Sequence, residues 1–333
     1  METELKKTDL TEPGNVWKKF ISIAARIAVG TFVLYFVISL VHWQNVIIAY
    51  QSADSRFILL AALLLFFNIG VRTFKWRSML RSVKDAPTLT EAFGSVMLGI
   101  SLGSFTPGEI GDFAGRAMHI TDAKRSHLVG LVLLDKAQIF IVTSCAGMVS
   151  LVCLTFNNIL VVTLIGIFIV SLSGVIIMRL GMIGLRLNAT RLQKQWLKSI
   201  LEGFNLHKSQ QVFKTVLYTL IFHGILILQM FCLINAFSKI NFAHAFIGTS
   251  ALMFVKSLLP ISIGDLGIRE AGSIYFFSIY NISQAAALNA SLILFFINIF
   301  IPSIAGIYFL RHQQISTFKF EQFWKKIRIK SND

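Results

Sequence analysis

Charge is scarce in this chain of 333 residues: Asp, Glu, Lys and Arg together make up 14% of it, whereas hydrophobic residues make up 55%. A soluble domain of this length needs more charge than that to cover its surface. Apolar runs of close to 20 residues recur along the sequence, which is the length that crosses a bilayer as a helix. The sequence therefore predicts an all-α, polytopic membrane protein.

Motifs for metal, disulfide and nucleotide chemistry are also missing from the sequence. The three cysteines, Cys145, Cys153 and Cys232, all fall in apolar runs and lack the spacing of a metal site or a disulfide framework. No phosphate-binding loop of the G-x-x-x-x-G-K-[ST] kind is present. We therefore expect no metal, no cofactor and no ATP-driven pumping by this chain alone.

The basic residues that give the chain its net charge of +15 flank the apolar runs. Most of them fall in residues 1–19, 72–84, 124–125, 179–214 and 311–330, whereas the loops proposed to face outward hold only Arg56 and Lys239. Basic flanks are typical of cytoplasmic loops beside anionic lipid, so membrane lipids rather than nucleic acid are the expected partners. The positive-inside rule predicts a protein of the cytoplasmic membrane with both termini in the cytoplasm.

The apolar runs divide the chain into one membrane domain with polar ends. Residues 1–17 are predicted to be a disordered cytoplasmic segment, 18–310 the transmembrane domain, and 311–333 a basic cytoplasmic tail. Within the domain, 179–214 is predicted to be an amphipathic linker that lies either in the membrane interface or against the protein. Six full spans are predicted, at residues 20–41, 57–71, 128–156, 159–178, 216–237 and 285–310.

Two short stretches, 104–116 and 257–270, share the pattern S-x-x-P-x-x-x-G-D-x-x-x-R. They use two of the five prolines in the chain. Because proline and glycine interrupt helices, each stretch predicts two half-helices that turn back as a re-entrant hairpin. The residues assigned to the two helix breaks are Pro107, Gly108, Gly111, Pro260, Gly264 and Gly267.

The two hairpins are expected to enter the membrane from opposite faces, because three predicted spans separate them. This predicts an inverted-topology repeat, an arrangement that recurs in secondary transporters whose binding site lies near the midplane at the repeat interface. The first hairpin would enter from the cytoplasm and the second from outside.

The charges of the repeated motif form the candidate site. Helix N-termini and arginine side chains both suit anions, so Arg116 and Arg269, together with Lys256, are predicted to hold an anionic lipid headgroup. A second interpretation stays open, in which Asp112 and Asp265 are N-cap residues, each paired with the arginine four residues later. The carboxylates assigned to pairing or coupling are Glu109, Asp112, Asp265 and Glu270.

Two further charges, Asp135 and Lys136, lie inside the predicted span 128–156. A charge at membrane depth is costly, so these side chains should either line a polar cavity or pair with each other at the interface.

Both motifs resemble those of the flippase-like family that includes the membrane half of lysyl-phosphatidylglycerol synthase, the multiple peptide resistance factor. The resemblance extends from about residue 20 to 310 and is strongest in the second motif, from Leu259 to Glu270. It implies a lipid-translocating domain with re-entrant elements around a polar cavity, acting on phospholipids or lipid-linked saccharides. The synthase adds a soluble transferase domain, for which the sequence leaves no room, so we expect no lysine transfer from charged tRNA.

Together these patterns predict a flippase or transporter for an anionic phospholipid or a lipid-linked precursor. One alternative is a membrane-embedded transferase that uses a polyprenyl-phosphate-linked donor, with Asp112 or Glu270 as general base. Another is a non-catalytic partner of an enzyme of cell-envelope lipid or glycan biosynthesis. Carboxylates dispersed between two repeats, rather than clustered at one membrane face, favour the transporter.

Overall fold

The computed structural model describes residues 43–104, 106–156, 161–169, 172, 209–259 and 265–311, and every element in these ranges is helical. In chain order they are α1 (Trp43–Gln51), α2 (Ser55–Leu80), α3 (Leu89–Ser104), a 3₁₀ turn (Pro107–Glu109), α4 (Ile110–His119), α5 (Arg125–Thr155), α6 (Ser209–Phe237), α7 (Phe242–Leu258), α8 (Ile268–Ser278), α9 (Gln284–Phe295), a π-helical turn (Phe296–Phe300) and α10 (Ile301–Arg311).

Four of the described helices are long and apolar enough to cross a membrane: Ser55–Leu80, Arg125–Thr155, Gln211–Phe237 and Gln284–Phe309. They expose large apolar side chains, such as Phe66 and Phe67 on α2, which a lipid environment accommodates and water does not. The prediction of an all-α membrane chain is therefore confirmed over the described residues.

The ends of the spans differ from those predicted. Helix α2 continues past residue 71 to Leu80, and α6 begins at Ser209, inside the predicted linker 179–214. The predicted span 20–41 lies outside the described residues, and so does half of the predicted span 159–178, whose described residues, 161–169 and 172, are helical. The segment 1–17, the rest of the linker and the tail beyond Arg311 lie outside them as well.

The first motif joins α3 and α4 in a helical hairpin. The Thr106 hydroxyl accepts a 2.6 Å hydrogen bond from the N–H of Gly111. Gly108 and Glu109 follow in the left-handed region, with φ of 60° and 54°, and α4 begins at Ile110. Asp112 is not the N-cap of α4, because the residue before the helix is Glu109, whose own side chain makes no capping hydrogen bond.

Glycines bring the two arms of this hairpin into backbone contact. A Cβ at Gly111 would overlap the carbonyl of Leu102, and one at Gly115 would lie 2.6 Å from the carbonyl oxygen of Leu98. Because 111 faces 102 and 115 faces 98, the two helices run antiparallel. The glycines at four-residue spacing on α4 thus allow the close approach that membrane helices reach with small residues.

The second motif connects α7 and α8. As in the first motif, the longer helix comes first and the shorter helix follows. Helix α7 ends at Leu258 and α8 begins at Ile268, while Pro260 and Gly264 fall in the segment 260–264 outside the described residues. Asp265 and Gly267 both have positive φ, 57° and 88°. The residue before α8 is therefore Gly267, and Asp265 is not its N-cap.

The described helices fall into a first half, α1 to α5, and a second half, α6 to α10. Helices of each half pack against helices of the other half. Helix α2 lies along α6, α7 packs on α5, and α10 packs on α3. The ends agree with this: the N–H of Asp54 donates to the carbonyl of Ala236 over 2.9 Å, so the start of α2 lies beside the end of α6.

Candidate functional site

Arg116 on α4 lies at the centre of a buried group of charges in the first half. Its guanidinium binds Asp112 through two hydrogen bonds of 2.7 and 3.0 Å and Asp135 through one of 2.9 Å. Asp135 also binds Lys75 on α2 at 2.5 Å. The guanidinium lies 5.0 Å from the ring centroid of Trp76. Arg116 is only 2% exposed, so its charge is satisfied by protein carboxylates alone.

Lys136 on α5 extends this group of charges to the hairpin tip. Its ammonium lies 2.8 Å from Asp112 and also binds Glu109. The expected pair between Asp135 and Lys136 does not form, because neighbouring residues on a helix point in different directions. These three acids balance the three bases Lys75, Arg116 and Lys136.

The second motif pairs its charges differently from the first. Arg269 binds Glu270 at 2.5 Å and the hydroxyl of Ser291 at 3.2 Å, and its guanidinium stacks on Phe295. The expected pair of Arg269 with Asp265 does not form. The physical reason is that α8 begins only at Ile268, so the four-residue helical spacing does not apply to Asp265.

Asp265 instead binds Lys256 on α7 over 2.7 Å. This pair is structurally similar to Glu109 with Lys136, since in each a left-handed residue at a hairpin tip presents a carboxylate to a lysine. Among the described residues, every ion pair joins two residues of the same half of the chain.

A cavity of about 420 Å³ lies where the hairpin tips meet α2, α5, α6 and α7. Charged and apolar side chains both line it, so the cavity offers both environments that an amphipathic ligand needs. The charged lining residues are Arg72, Glu109, Lys136, Lys256 and Asp265, and the apolar ones include Phe113, Ile139, Phe140, Phe222, Leu226 and Met253.

Arg72 is the cation in this cavity that has no carboxylate partner among the described residues. Its guanidinium lies 5.7 Å from the ring centroid of Phe222 on α6. It also borders two smaller cavities, one that contains Asn298 and Asp112 and one beside Lys75. An arginine at the junction of three cavities can reach a ligand in each of them.

Arg72 was missed by the sequence reasoning, which assigned residues 72–84 to the cytoplasmic interface. In the structure Lys75 and Trp76 are buried, and the Trp76 indole donates a 2.8 Å hydrogen bond to Ser95 on α3. The available signal was spacing, because residues 72, 75, 76 and 79 share one face of a helix.

The structure brings only some of the predicted site residues to the cavity. Lys256, Glu109 and Asp265 line it, and their side chains are 22%, 50% and 15% exposed. Asp112 borders a smaller neighbouring cavity. Arg269 and Glu270, at 2% and 0% exposure, are buried away from the large cavity. The headgroup role of Arg116 and Arg269 stays a prediction, but both guanidinium groups are already bound by carboxylates.

Four apolar helices of membrane-crossing length define an integral membrane protein. The chain belongs to the lysylphosphatidylglycerol synthase TM region family, whose family model matches residues 23–306. The resemblance drawn from the two motifs is thereby confirmed, and the family has a lipid-related function in the membrane. No curated protein sequence matches the chain significantly.

Proposed function

We propose that the protein is a lipid flippase that moves a lipid with an anionic headgroup across the membrane through the cavity between the hairpin tips. The observation that carries this proposal is Arg72, a cation without a carboxylate partner among the described residues, in a cavity that apolar side chains also line. A single unpaired cation at membrane depth is costly unless a ligand or water neutralises it.

The headgroup phosphate binds between Arg72 on one side and Lys136 and Lys256 on the other. Arginine offers two parallel N–H donors that match two phosphate oxygens, whereas lysine acts as a point charge. The acyl chains contact the apolar lining residues, such as Phe140 and Phe222. Arg116 and Arg269 hold the hairpins in place through their carboxylates rather than binding the lipid.

The reciprocal packing of the two halves supports an inverted repeat. In this topology the two motif hairpins are re-entrant and enter from opposite faces, and the chain has six full spans. Two contacts agree with it. Lys84, just beyond the end of α2, donates to the carbonyl of Thr121, just beyond α4, over 3.3 Å, and the start of α2 lies beside the end of α6. Both termini are then cytoplasmic and the membrane is the cytoplasmic membrane.

The transferase alternative receives less support from the site. Glu270, one proposed general base, is fully buried and accepts hydrogen bonds from Gly267, Arg269 and Ser291. Asp112, the other, is held by Arg116 and Lys136. A general base must be within hydrogen-bond reach of the proton that it abstracts, and neither carboxylate borders the large cavity.

The proposal is tested by reconstituting the purified full chain in vesicles that contain fluorescent phosphatidylglycerol and measuring how much of it dithionite bleaches. Transport raises the bleached fraction, because lipid from the inner leaflet reaches the outer one. We expect Arg72→Gln to lower the rate to that of protein-free vesicles. Arg81→Gln, which removes an exposed arginine at the end of the same helix, should keep the wild-type rate.

Fluorescent phosphatidylcholine serves as the lipid control, because its headgroup carries no net charge. Equal rates for the wild-type protein and Arg72→Gln would contradict the headgroup site. A wild-type protein that moves neither lipid would contradict the flippase and favour the role of a non-catalytic partner of an envelope enzyme.

A further inference from the structure

We infer that Glu109 and Asp265 are built-in counterions that set the charge of the headgroup that the cavity accepts. They select a phosphodiester, with one negative charge, over a phosphomonoester, with two. This inference rests on the proposed function, because it concerns the same cavity and the same phosphate.

The charges that line the cavity leave a surplus of one positive charge among the described residues. Arg72, Lys136 and Lys256 contribute three positive charges, and Glu109 and Asp265 remove two of them. Lys75 and Arg116 do not line this cavity, and their charges are balanced by Asp112 and Asp135. A ligand with one negative charge therefore leaves the site neutral.

The two cavity carboxylates differ from the carboxylates that hold the fold. Glu270 accepts hydrogen bonds from three residues, and Asp112 is bound by both Arg116 and Lys136. Glu109 and Asp265 each contact a single lysine among the described residues. They therefore supply negative charge to the cavity, while few neighbouring residues depend on them for a hydrogen bond or an ion pair.

Glu109 and Asp265 occupy similar backbone positions in the two hairpins. Both have φ near +55° (54° and 57°), and both lie shortly before the second helix of their hairpin. Each carboxylate neutralises a lysine that faces the cavity.

A doubly charged headgroup would bring one uncompensated negative charge into a cavity of low dielectric, where such a charge is poorly screened. Removing the charge of Glu109 or of Asp265 raises the surplus to two. Either change should therefore shift the preference of the cavity from the phosphodiester toward the phosphomonoester.

The test is a competition between two lipids with the same acyl chains, phosphatidylmethanol as the diester and phosphatidic acid as the monoester. The full chain in detergent is mixed with equal amounts of both at pH 8, where a phosphomonoester with a second pKa of about 6 is doubly ionised. Native mass spectrometry then gives the ratio of bound lipids. We expect the wild-type protein to prefer the diester about fivefold or more, a difference of about 1 kcal/mol.

Glu109→Gln and Asp265→Asn should each move this ratio toward the monoester by about tenfold, a difference of about 1.4 kcal/mol. Glu109→Asp keeps the charge and should keep the wild-type ratio. The matched control is Asp122→Asn, because Asp122 is a carboxylate that is 84% exposed and pairs with Lys84 away from the cavity.

The outcomes separate this inference from the proposed function. If the wild-type protein retains both anionic lipids equally and Arg72→Gln loses both, the headgroup site stands and the role of the counterions is overturned. An unchanged ratio in a folded Glu109→Gln or Asp265→Asn protein overturns it as well. If neither anionic lipid is retained above phosphatidylcholine, the proposed headgroup site itself fails.

Discussion

At the scale of single residues, Asp135 connects two buried cations from different helices. Its carboxylate receives Lys75 from α2 and Arg116 from α4, and all three side chains are almost fully buried. Buried ion pairs of this kind contribute little net stability, but removing one partner leaves an uncompensated charge.

We therefore expect Asp135→Asn to destabilise the protein by about 3–5 kcal/mol, because Lys75 loses its described carboxylate and Arg116 loses one of two. Thermal unfolding in detergent should show a clearly lower midpoint. Asp122→Asn, at an exposed pair, should unfold at the wild-type temperature. An unchanged midpoint for Asp135→Asn would mean that these charges are hydrated in the protein.

Arg269 and Glu270 allow the phosphate role of the motif arginines to be tested. Arg269→Ala should destabilise the protein, because Glu270 then remains charged at 0% exposure. Adding Glu270→Gln removes that charge and keeps an acceptor for the N–H of Gly267, so the double variant should recover unfolding temperature and lipid transport together. A double variant that folds normally and does not transport lipid would return Arg269 to the headgroup site.

At the scale of helices, the hairpin of α3 and α4 depends on glycines that no charge pattern reveals. We expect Gly115→Ala to separate the two helices, because its methyl group would lie 2.6 Å from the carbonyl oxygen of Leu98. Thermal unfolding and size-exclusion chromatography should show a less stable protein. Gly224→Ala in the middle of α6 is the control, since no atom other than those of its neighbours along the helix lies within 4 Å of its added methyl group, and alanine favours the helix.

The sequence predicted the helices better than their ends and partners. Prolines and glycines predicted where helices stop, and α3 does end at Ser104, shortly before Pro107. The extension of α2 was missed because the basic residues of 72–84 indicated an interface, although residues 72, 75, 76 and 79 share one face of a helix. The alternative pairing of Asp265 with Arg269 does not form, because it depends on where α8 begins, and α8 begins only after Gly267, whose φ is positive.

At the scale of the whole molecule, the proposed topology predicts which loops face outward. In a protein whose three native cysteines are replaced, a cysteine at Gln284, the first residue of α9, should react with an impermeant maleimide added from outside. A cysteine at Lys124, before α5, should react only after the membrane is permeabilised, which also serves as its control. Reaction of Lys124→Cys from outside in intact cells would contradict the inverted repeat.

The confinement of each ion pair to one half has a mechanical consequence. Sliding one half against the other would break neutral contacts, such as the hydrogen bonds of Gln138 to Thr215 and of Ser101 to Ser303, at about 1 kcal/mol each. No described ion pair would have to separate. Arg72 belongs to the first half and Lys256 to the second, so a phosphate held between them would form a charged link between two halves that neutral contacts otherwise join. The cargo itself would then couple their movement.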